Sequence, residues 1–288
     1  MENIFYSLGG MYLNYRSSEL LEKAKYYCNE LSKHHILSKY WYELALVLKG
    51  STARGNSDQY SDIDLVFFCD KNILDRIVKD YYDEGLISRE DGIFLPLPEW
   101  IGHYNLESYD NLIGYFKEKN YPEIWEYTNV IILHDELNRF SGIIEEYIDY
   151  VFQDVIADIK DKYLNLQLTL DWLRHPLKRG DELSVILHCS NIIRLICQLS
   201  YLIDEKTYPH DKWLFYYLKE TEFGSRKENK IKELGKNIIN NNIPLQVDKE
   251  LDEYSQYVLA DGIITDLKNQ IQLKYGNQPW LDEWYSFV

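Results

Sequence analysis

Residues Gly50–Phe68 read GSTARGNSDQYSDIDLVFF, and this stretch decides the interpretation of the whole chain. A glycine–serine turn follows the apolar run Leu44–Leu48, and a polar loop then leads through Asp62 and Asp64 into a second apolar run. Because successive side chains of a strand point to opposite faces, the two carboxylates share one face. Neighbouring carboxylates repel each other, and a divalent metal ion is their usual partner. A tight Gly-Ser turn beside such a pair indicates a site for a nucleoside triphosphate.

Composition and charge limit the function classes. The chain has 288 residues, of which 45% are apolar, which is typical of a folded protein of one or two domains. Its 47 acidic and 31 basic residues give a net charge of −16, which disfavours nucleic acid as a partner. This charge indicates either an ordinary acidic surface or a site for a polycationic small molecule.

Targeting signals are not evident in the sequence. The segment Met1–Gly10 lacks the basic region of a secretory signal, and we expect no membrane-spanning segment of ~20 apolar residues. The four cysteines are scattered without CxxC pairs, which is typical of reduced thiols. We therefore expect a cytoplasmic protein without a zinc site. The oligomeric state stays open.

The pattern of apolar residues divides the chain into two halves. In residues 1–140, alternating and helical patterns predict a small mixed sheet with flanking helices. Residues 141–288 show helical periodicity throughout, so the predicted fold class is α+β with an all-helical C-terminal domain. The strands expected in the first half are Tyr42–Lys49, Ile63–Phe68, strands within Gly92–Glu107, and Asn129–His134, with helices at Ser18–Leu31 and Asn72–Asp83. The helices expected in the second half are Ile143–Lys162, Leu164–Trp172, Leu183–Leu202, Trp213–Thr221 and Gln246–Leu273, with Pro176 and Pro209 between helices.

The order Gly50-Ser51, Gly55, Ser61-Asp62-Ile63-Asp64 between two strands resembles the signature of the DNA-polymerase-β-like nucleotidyltransferase superfamily. With a helical C-terminal half, the chain looks most like the antibiotic (aminoglycoside-type) nucleotidyltransferases and their uncharacterised bacterial relatives. The specific signature covers only ~20 residues. The wider likeness is one of domain order.

This resemblance implies roles for the residues of the signature. The amides around Gly50 and the Ser51 hydroxyl would bind the β- and γ-phosphates of ATP. Asp62 and Asp64 would hold two Mg²⁺ ions. Arg54 would either neutralise a phosphate oxygen or be a solvated loop cation. Ser61 would either contact the nucleotide or cap the turn before the strand.

The family adds a third carboxylate as metal ligand or general base, and its position here is open. His103 and Glu107 are an even number of residues apart on one predicted strand, so both face the same side and either can occupy the position of the third carboxylate. The helical half offers Asp181 and Glu182 as the base instead. By the same resemblance, Lys212 in the segment Tyr208–Leu214 either reaches the triphosphate or stays in solvent.

Three functions agree with these observations. The first is transfer of a nucleoside monophosphate, AMP from ATP, to a hydroxyl of a small cationic acceptor such as an aminoglycoside, which would confer antibiotic resistance. The second is modification of a protein, as by the small antitoxin-type members of the superfamily. The third is a catalytically inactive nucleotide-binding module that has lost the third carboxylate.

Overall fold

The structure, a computed structural model, describes residues 13–90, 94–239 and 250–288. The chain divides into two compact units, Met1–Val151 and Phe152–Val288. The sequence analysis placed the boundary between residues 140 and 141, inside a helix of the first unit, Arg139–Tyr147. The first unit contains a mixed sheet with helices and the second is helical, which confirms the α+β prediction.

The first unit contains five strands and six helices among its described residues. In chain order they are α1 (Tyr15–Leu31), β1 (Ala45–Lys49), α2 (Gly50–Ala53), β2 (Ile63–Cys69), α3 (Lys71–Asp83), β3 (Leu95–Pro96), β4 (Gly102–Ser108), α4 (Tyr109–Lys117), α5 (Tyr121–Thr128), β5 (Ile131–Asp135) and α6 (Arg139–Tyr147). Of the segment predicted to hold strands near Gly92, residues 91–93 lie outside the described residues.

The strands form one sheet in the order β3-β4-β2-β1-β5. β1 is antiparallel to β2 and β5, whereas β4 runs parallel to β2. The two register relations that matter for function are that Lys49 of β1 lies opposite Asp64 of β2, and His103 of β4 lies opposite the same aspartate. The sheet thus aligns three polar residues across its central strands.

The main core of the first unit covers one face of the sheet. Ile63, Leu65 and Phe67 of β2 are fully buried there and share a hydrophobic cluster with residues of α1 and α3. Since side chains alternate along a strand, Asp64 is forced to the opposite face. The burial of three apolar neighbours therefore fixes the direction of this carboxylate.

The start of α1 also anchors the loop that precedes β2. Asn14 caps the helix by accepting a hydrogen bond from the Ser17 amide at 2.7 Å. The Asn14 amide side chain donates to the Ser57 carbonyl at 2.8 Å, and the Ser57 amide donates to the Ser17 hydroxyl at 2.9 Å. The loop between α2 and β2 has no regular secondary structure, and these hydrogen bonds hold it against the start of α1.

The second unit consists of helices in its described residues. They are α7 (Val155–Arg179), α8 (Glu182–Ile203), α9 (Asp211–Leu214), α10 (Glu222–Ile239), α11 (Ser255–Tyr275) and α12 (Pro279–Asp282). α8 contacts α7, α10 and α11, and it supplies the largest set of buried apolar residues.

Several helix predictions for this half are wrong. Ile143–Lys162 is not one helix, because α6 ends at Tyr147 and a 3-10 turn precedes α7. α7 continues through the predicted break at Pro176, which lies in its last turn, and ends where Gly180 adopts a left-handed conformation (φ 68°).

Two further differences concern shorter and missing segments. Trp213–Thr221 contains only the last two residues of the short α9 and a 3-10 turn, and α10 was not predicted at all. The first residues of the predicted helix Gln246–Leu273 lie outside the described residues, and α11 begins at Ser255.

The sequence analysis expected no segment long and apolar enough to span a membrane, but α8 meets that criterion. Of the residues described, only α8 is long and apolar enough by length and composition to cross a bilayer, with a mean hydropathy of 1.4 over its best window. Of that window, 44% is buried inside the protein. Core helices such as this one meet the same criterion, since burial against other helices requires apolar residues as a membrane does.

Candidate active site

The carboxylate pair lies where the polar loop enters β2. Asp62 directly precedes the strand and its side chain is 54% exposed, whereas the side chain of Asp64, one residue into the strand, is 26% exposed. Burial and the nearby charge of Asp62 raise the pKa of Asp64 above its ordinary value, and the charges of His103 and Lys49 partly oppose this. Because its pKa is raised in the fold, ionised Asp64 costs the folded state free energy above the ordinary pKa, and this cost disappears as the pH falls.

His103 completes a group of three with the two aspartates. Its Nε2 lies 3.3 Å from Oδ1 of Asp64, and its Nδ1 lies 4.0 Å from Oδ2 of Asp62. One ligand atom from each of the three residues can be chosen so that all lie within 4.8 Å of one another. The structure therefore places an imidazole at the position where the sequence left the choice between His103 and Glu107 open.

Glu107 lies four residues farther along β4, about 13 Å from His103 at the rise of a parallel strand. Its carboxylate accepts hydrogen bonds from the hydroxyls of Tyr127 at 2.8 Å and Tyr115 at 3.3 Å. Burial, followed by the charge of Glu107, raises the pKa of both phenols, so they remain donors. The structure does not bring Glu107 to the two aspartates, because its partners hold it farther along the strand.

Gly50 makes room for Asp64. Its φ is +76°, a conformation that glycine adopts without steric cost, and a β-carbon built at this position would lie 2.4 Å from Oδ2 of Asp64. The sequence analysis assigned the turn at Gly50 to the binding of phosphates. In the structure, the atom that needs the space is a carboxylate oxygen of the protein itself.

Arg54 and Glu126 form a buried ion pair behind the turn. The Nη1 atom of Arg54 lies 2.9 Å from Oε1 of Glu126, and both side chains are nearly inaccessible, with 2% and 9% exposed. The same carboxylate oxygen accepts a hydrogen bond from the Gly50 amide at 3.0 Å. Arg54 is therefore not a solvated loop cation, and its guanidinium does not point into solvent where it could meet a phosphate. The Gly50 amide already donates a hydrogen bond to Glu126.

The two serines of the motif differ in their contacts. Ser61 belongs to the turn before β2, because its hydroxyl donates to Oδ1 of Asp58 at 3.0 Å and accepts from the Asp58 amide at 2.9 Å. Ser51 lies in the short helix α2, partly exposed. Ser51 stays the predicted phosphate contact, whereas the contacts of Ser61 agree with the turn-capping alternative.

Lys49 is a site residue that the sequence analysis missed. It lies opposite Asp64 in the β1–β2 register, and its ammonium is 5.5 Å from the centre of the Tyr127 ring. Within the described residues no hydrogen bond or ion pair holds this ammonium. Its position as the last residue of β1, directly before Gly50, is the signal that could have identified it.

The predicted residues of the helical half lie in the second unit. Asp181 caps α8 by accepting hydrogen bonds from the amide and hydroxyl of Ser184, and these bonds lower its pKa. Glu182 is the first residue of α8, and Lys212 is exposed in α9. The roles of Glu182 and Lys212 at the nucleotide stay predictions.

The donor set of Asp62, Asp64 and His103 suits one divalent cation. Carboxylate oxygens and an imidazole nitrogen are both common ligands, and a cation would stabilise the charged form of Asp64, whose pKa is raised by burial and by the charge of Asp62. The expected set of three carboxylates for two Mg²⁺ ions is not present in this group.

Comparisons with known proteins give a family match that includes this site. Residues 34–123 match a family model described as a nucleotidyltransferase domain, and all three residues of the group lie within this range. This match supports the resemblance to the polymerase-β-like superfamily. A crystal structure of a nucleotidyltransferase-like protein from Exiguobacterium sibiricum 255-15 is similar over 86% of this chain and 77% of that one, with 12% identity and a TM-score of 0.47. A search of curated proteins finds no match.

Replacing Gly50 tests the contact with Asp64. We expect Gly50→Ala to lower the free energy of unfolding by more than the ~1–2 kcal/mol of a left-handed alanine, because the new β-carbon also displaces the carboxylate. Gly85→Ala is the matched control, since Gly85 has φ +70° and open space around it. Equal losses in urea unfolding of the two variants would contradict the close approach.

The buried ion pair gives a second prediction. Arg54→Met leaves Glu126 charged and buried, so we expect a loss of about 3–5 kcal/mol in the free energy of unfolding. The double variant Arg54→Met/Glu126→Gln removes the charge and keeps an acceptor for the Gly50 amide, and it should lose less. A stable Arg54→Met protein with a raised KM for the nucleotide would instead assign Arg54 to the phosphates.

Proposed function

We propose a reaction for this chain, which carries a nucleotidyltransferase domain over residues 34–123 and is by that domain a nucleotidyltransferase. It transfers a nucleoside monophosphate, AMP from ATP, to a hydroxyl of a small cationic acceptor such as an aminoglycoside. The observation that carries the proposal is the group formed by Asp62, Asp64 and His103 within the matched domain. The net charge of −16 supports a cationic acceptor in cytoplasmic conditions.

In this reaction the acceptor oxygen forms a bond to the α-phosphorus. The bond from that phosphorus to the oxygen bridging to the β-phosphate breaks, and pyrophosphate leaves. The hydroxyl proton passes to a general base, for which the sequence analysis offers Asp181 or Glu182. A bound divalent cation, Mg²⁺ in the family, supplies stabilisation of the charge that develops on the phosphate oxygens.

The residues of the first unit have separate tasks in this scheme. Asp62, Asp64 and His103 would hold the cation where β2 begins. Lys49 binds a phosphate oxygen, since it lies opposite Asp64 in the β1–β2 register and its ammonium has no ionic partner among the described residues. Ser51 contacts the triphosphate from the start of α2. The ion pair behind the turn keeps Gly50, and with it Asp64, in place.

A second candidate is a nucleotide-binding module without transferase activity. The observation that favours it is the imidazole at the third position, where the family has a carboxylate. Such a module would still bind ATP and would be stabilised by it. It would release no pyrophosphate with any hydroxyl acceptor.

The aspartates give the direct test of the reaction. We expect Asp64→Asn and Asp62→Asn to lower pyrophosphate release by about 10³-fold or more, because several kcal/mol of charge stabilisation are lost. Asp75→Asn is the control, since Asp75 is exposed on α3 and pairs only with Lys71 in the described contacts.

Antibiotic susceptibility of bacteria that express the chain tests the identity of the acceptor. Bacteria that express the wild-type chain should become resistant to an aminoglycoside or lincosamide, and Asp64→Asn should abolish that resistance. Binding of ATP without resistance to any drug, and without turnover of any hydroxyl compound, would favour the inactive module.

Lys49 is tested through nucleotide affinity. Lys49→Met removes a charge-assisted hydrogen bond to a phosphate, so the KM for ATP should rise by about 10- to 100-fold. Lys49→Arg keeps the positive charge, so it should raise the KM for ATP less than Lys49→Met does. Lys71→Met, on the exposed start of α3, controls for loss of a charge. An unchanged KM in Lys49→Met would remove this residue from the nucleotide site.

A further inference from the structure

The imidazole of His103 has a consequence for the identity of the metal. Building on the proposed function, we infer that the site binds a first-row transition-metal dication through His103, and binds it more tightly than Mg²⁺. The inference concerns which cation this chain selects. It depends on the position of one ring relative to two carboxylates.

The backbone places the ring beside the aspartates. Parallel pairing sets His103 opposite Asp64, and the residue before it, Gly102, allows β4 to approach β2 closely. A β-carbon at Gly102 would lie 2.1 Å from the Ile63 carbonyl oxygen, so no larger residue fits there without displacing a strand. The nearness of His103 to Asp64 is therefore a property of the sheet and not of one rotamer.

The imidazole ring of His103 also contacts an aromatic side chain. The Phe94 ring packs against His103 with 5.0 Å between ring centres, tilted by 59°. Nε2 lies 3.3 Å from Asp64 and Nδ1 lies 4.0 Å from Asp62, so the ring offers a nitrogen to a cation held by the carboxylate pair.

The dimensions fit one ion. Bonds of about 2.0–2.3 Å to nitrogen and oxygen ligands separate ligand atoms by about 3–4.5 Å. The three ligand atoms lie within 4.8 Å of one another, which requires only a small inward movement of the exposed Asp62. The site therefore offers two oxygens and one nitrogen to a single cation.

This donor set discriminates between metals. Mg²⁺ prefers an octahedron of oxygens and retains its water, so an imidazole contributes little to its binding. Transition-metal dications accept imidazole nitrogen readily, and their affinities for mixed nitrogen–oxygen sites rise from Mn²⁺ through Co²⁺ to Cu²⁺. Replacing a third carboxylate by His103 thus shifts the preference away from Mg²⁺.

Metal titration of the full chain tests this inference. Calorimetry with Co²⁺ and with Mg²⁺, each in the presence of a non-hydrolysable ATP analogue, gives the ratio of the two dissociation constants. We expect wild type to bind Co²⁺ at least about tenfold more tightly, and His103→Asp to reduce this preference by about tenfold or more. His175→Asp, at an exposed position of α7, should leave the ratio unchanged.

A spectroscopic measurement on wild type makes the test independent of the variant's folding. Proton NMR of the Co²⁺-loaded protein should show a strongly shifted, solvent-exchangeable imidazole N–H signal from a bound histidine. If Co²⁺ binds without such a signal, or if His103→Asp keeps the wild-type ratio, the inference is overturned while metal binding by the aspartates stands. If neither cation binds wild type, the proposed metal-dependent reaction fails as well.

Discussion

The repulsion between two carboxylates at the start of β2 is the constraint on which the rest of the site depends. Asp62 and Asp64 face the same way because the residues between and after them are buried in the core. Burial and mutual repulsion raise the pKa of Asp64, so its charged form requires nearby cationic groups. Lys49 lies on the strand to one side, and His103, on the strand to the other side, offers an imidazole that would share a bound cation with the pair.

Glu126 links this pair to the remainder of the domain. One of its carboxylate oxygens binds both the Gly50 amide and the Arg54 side chain. The positive φ of Gly50 in turn leaves the space that Asp64 occupies. A buried carboxylate from α5 therefore shapes the turn, and the turn shapes the metal site, so that loss of either partner is expected to reach the site through the backbone.

Local patterns predicted the part of the site that lies within one strand. Alternation from Asp62 into β2 was enough to place the two aspartates on one face, and the apolar runs identified both central strands. The choice between His103 and Glu107 required the register of two strands that are about forty residues apart in sequence, and no local pattern encodes a register. For Arg54 the decisive partner, Glu126, is 72 residues away, so no local pattern indicates the ion pair. In the helical half, α10 was missed because its buried residues Ile231 and Leu234 lie among charged residues in the sequence. Pro176 was expected to end a helix, but it lies in the last turn of α7.

The central claim is that one divalent cation binds between Asp62, Asp64 and His103. Crystals grown with Co²⁺ and a non-hydrolysable ATP analogue, measured at the cobalt absorption edge, test it most directly. We predict an anomalous difference peak within bonding distance of an oxygen from each aspartate and of a nitrogen of His103. A peak bound to the nucleotide alone, or no peak at this end of the sheet, would contradict the account.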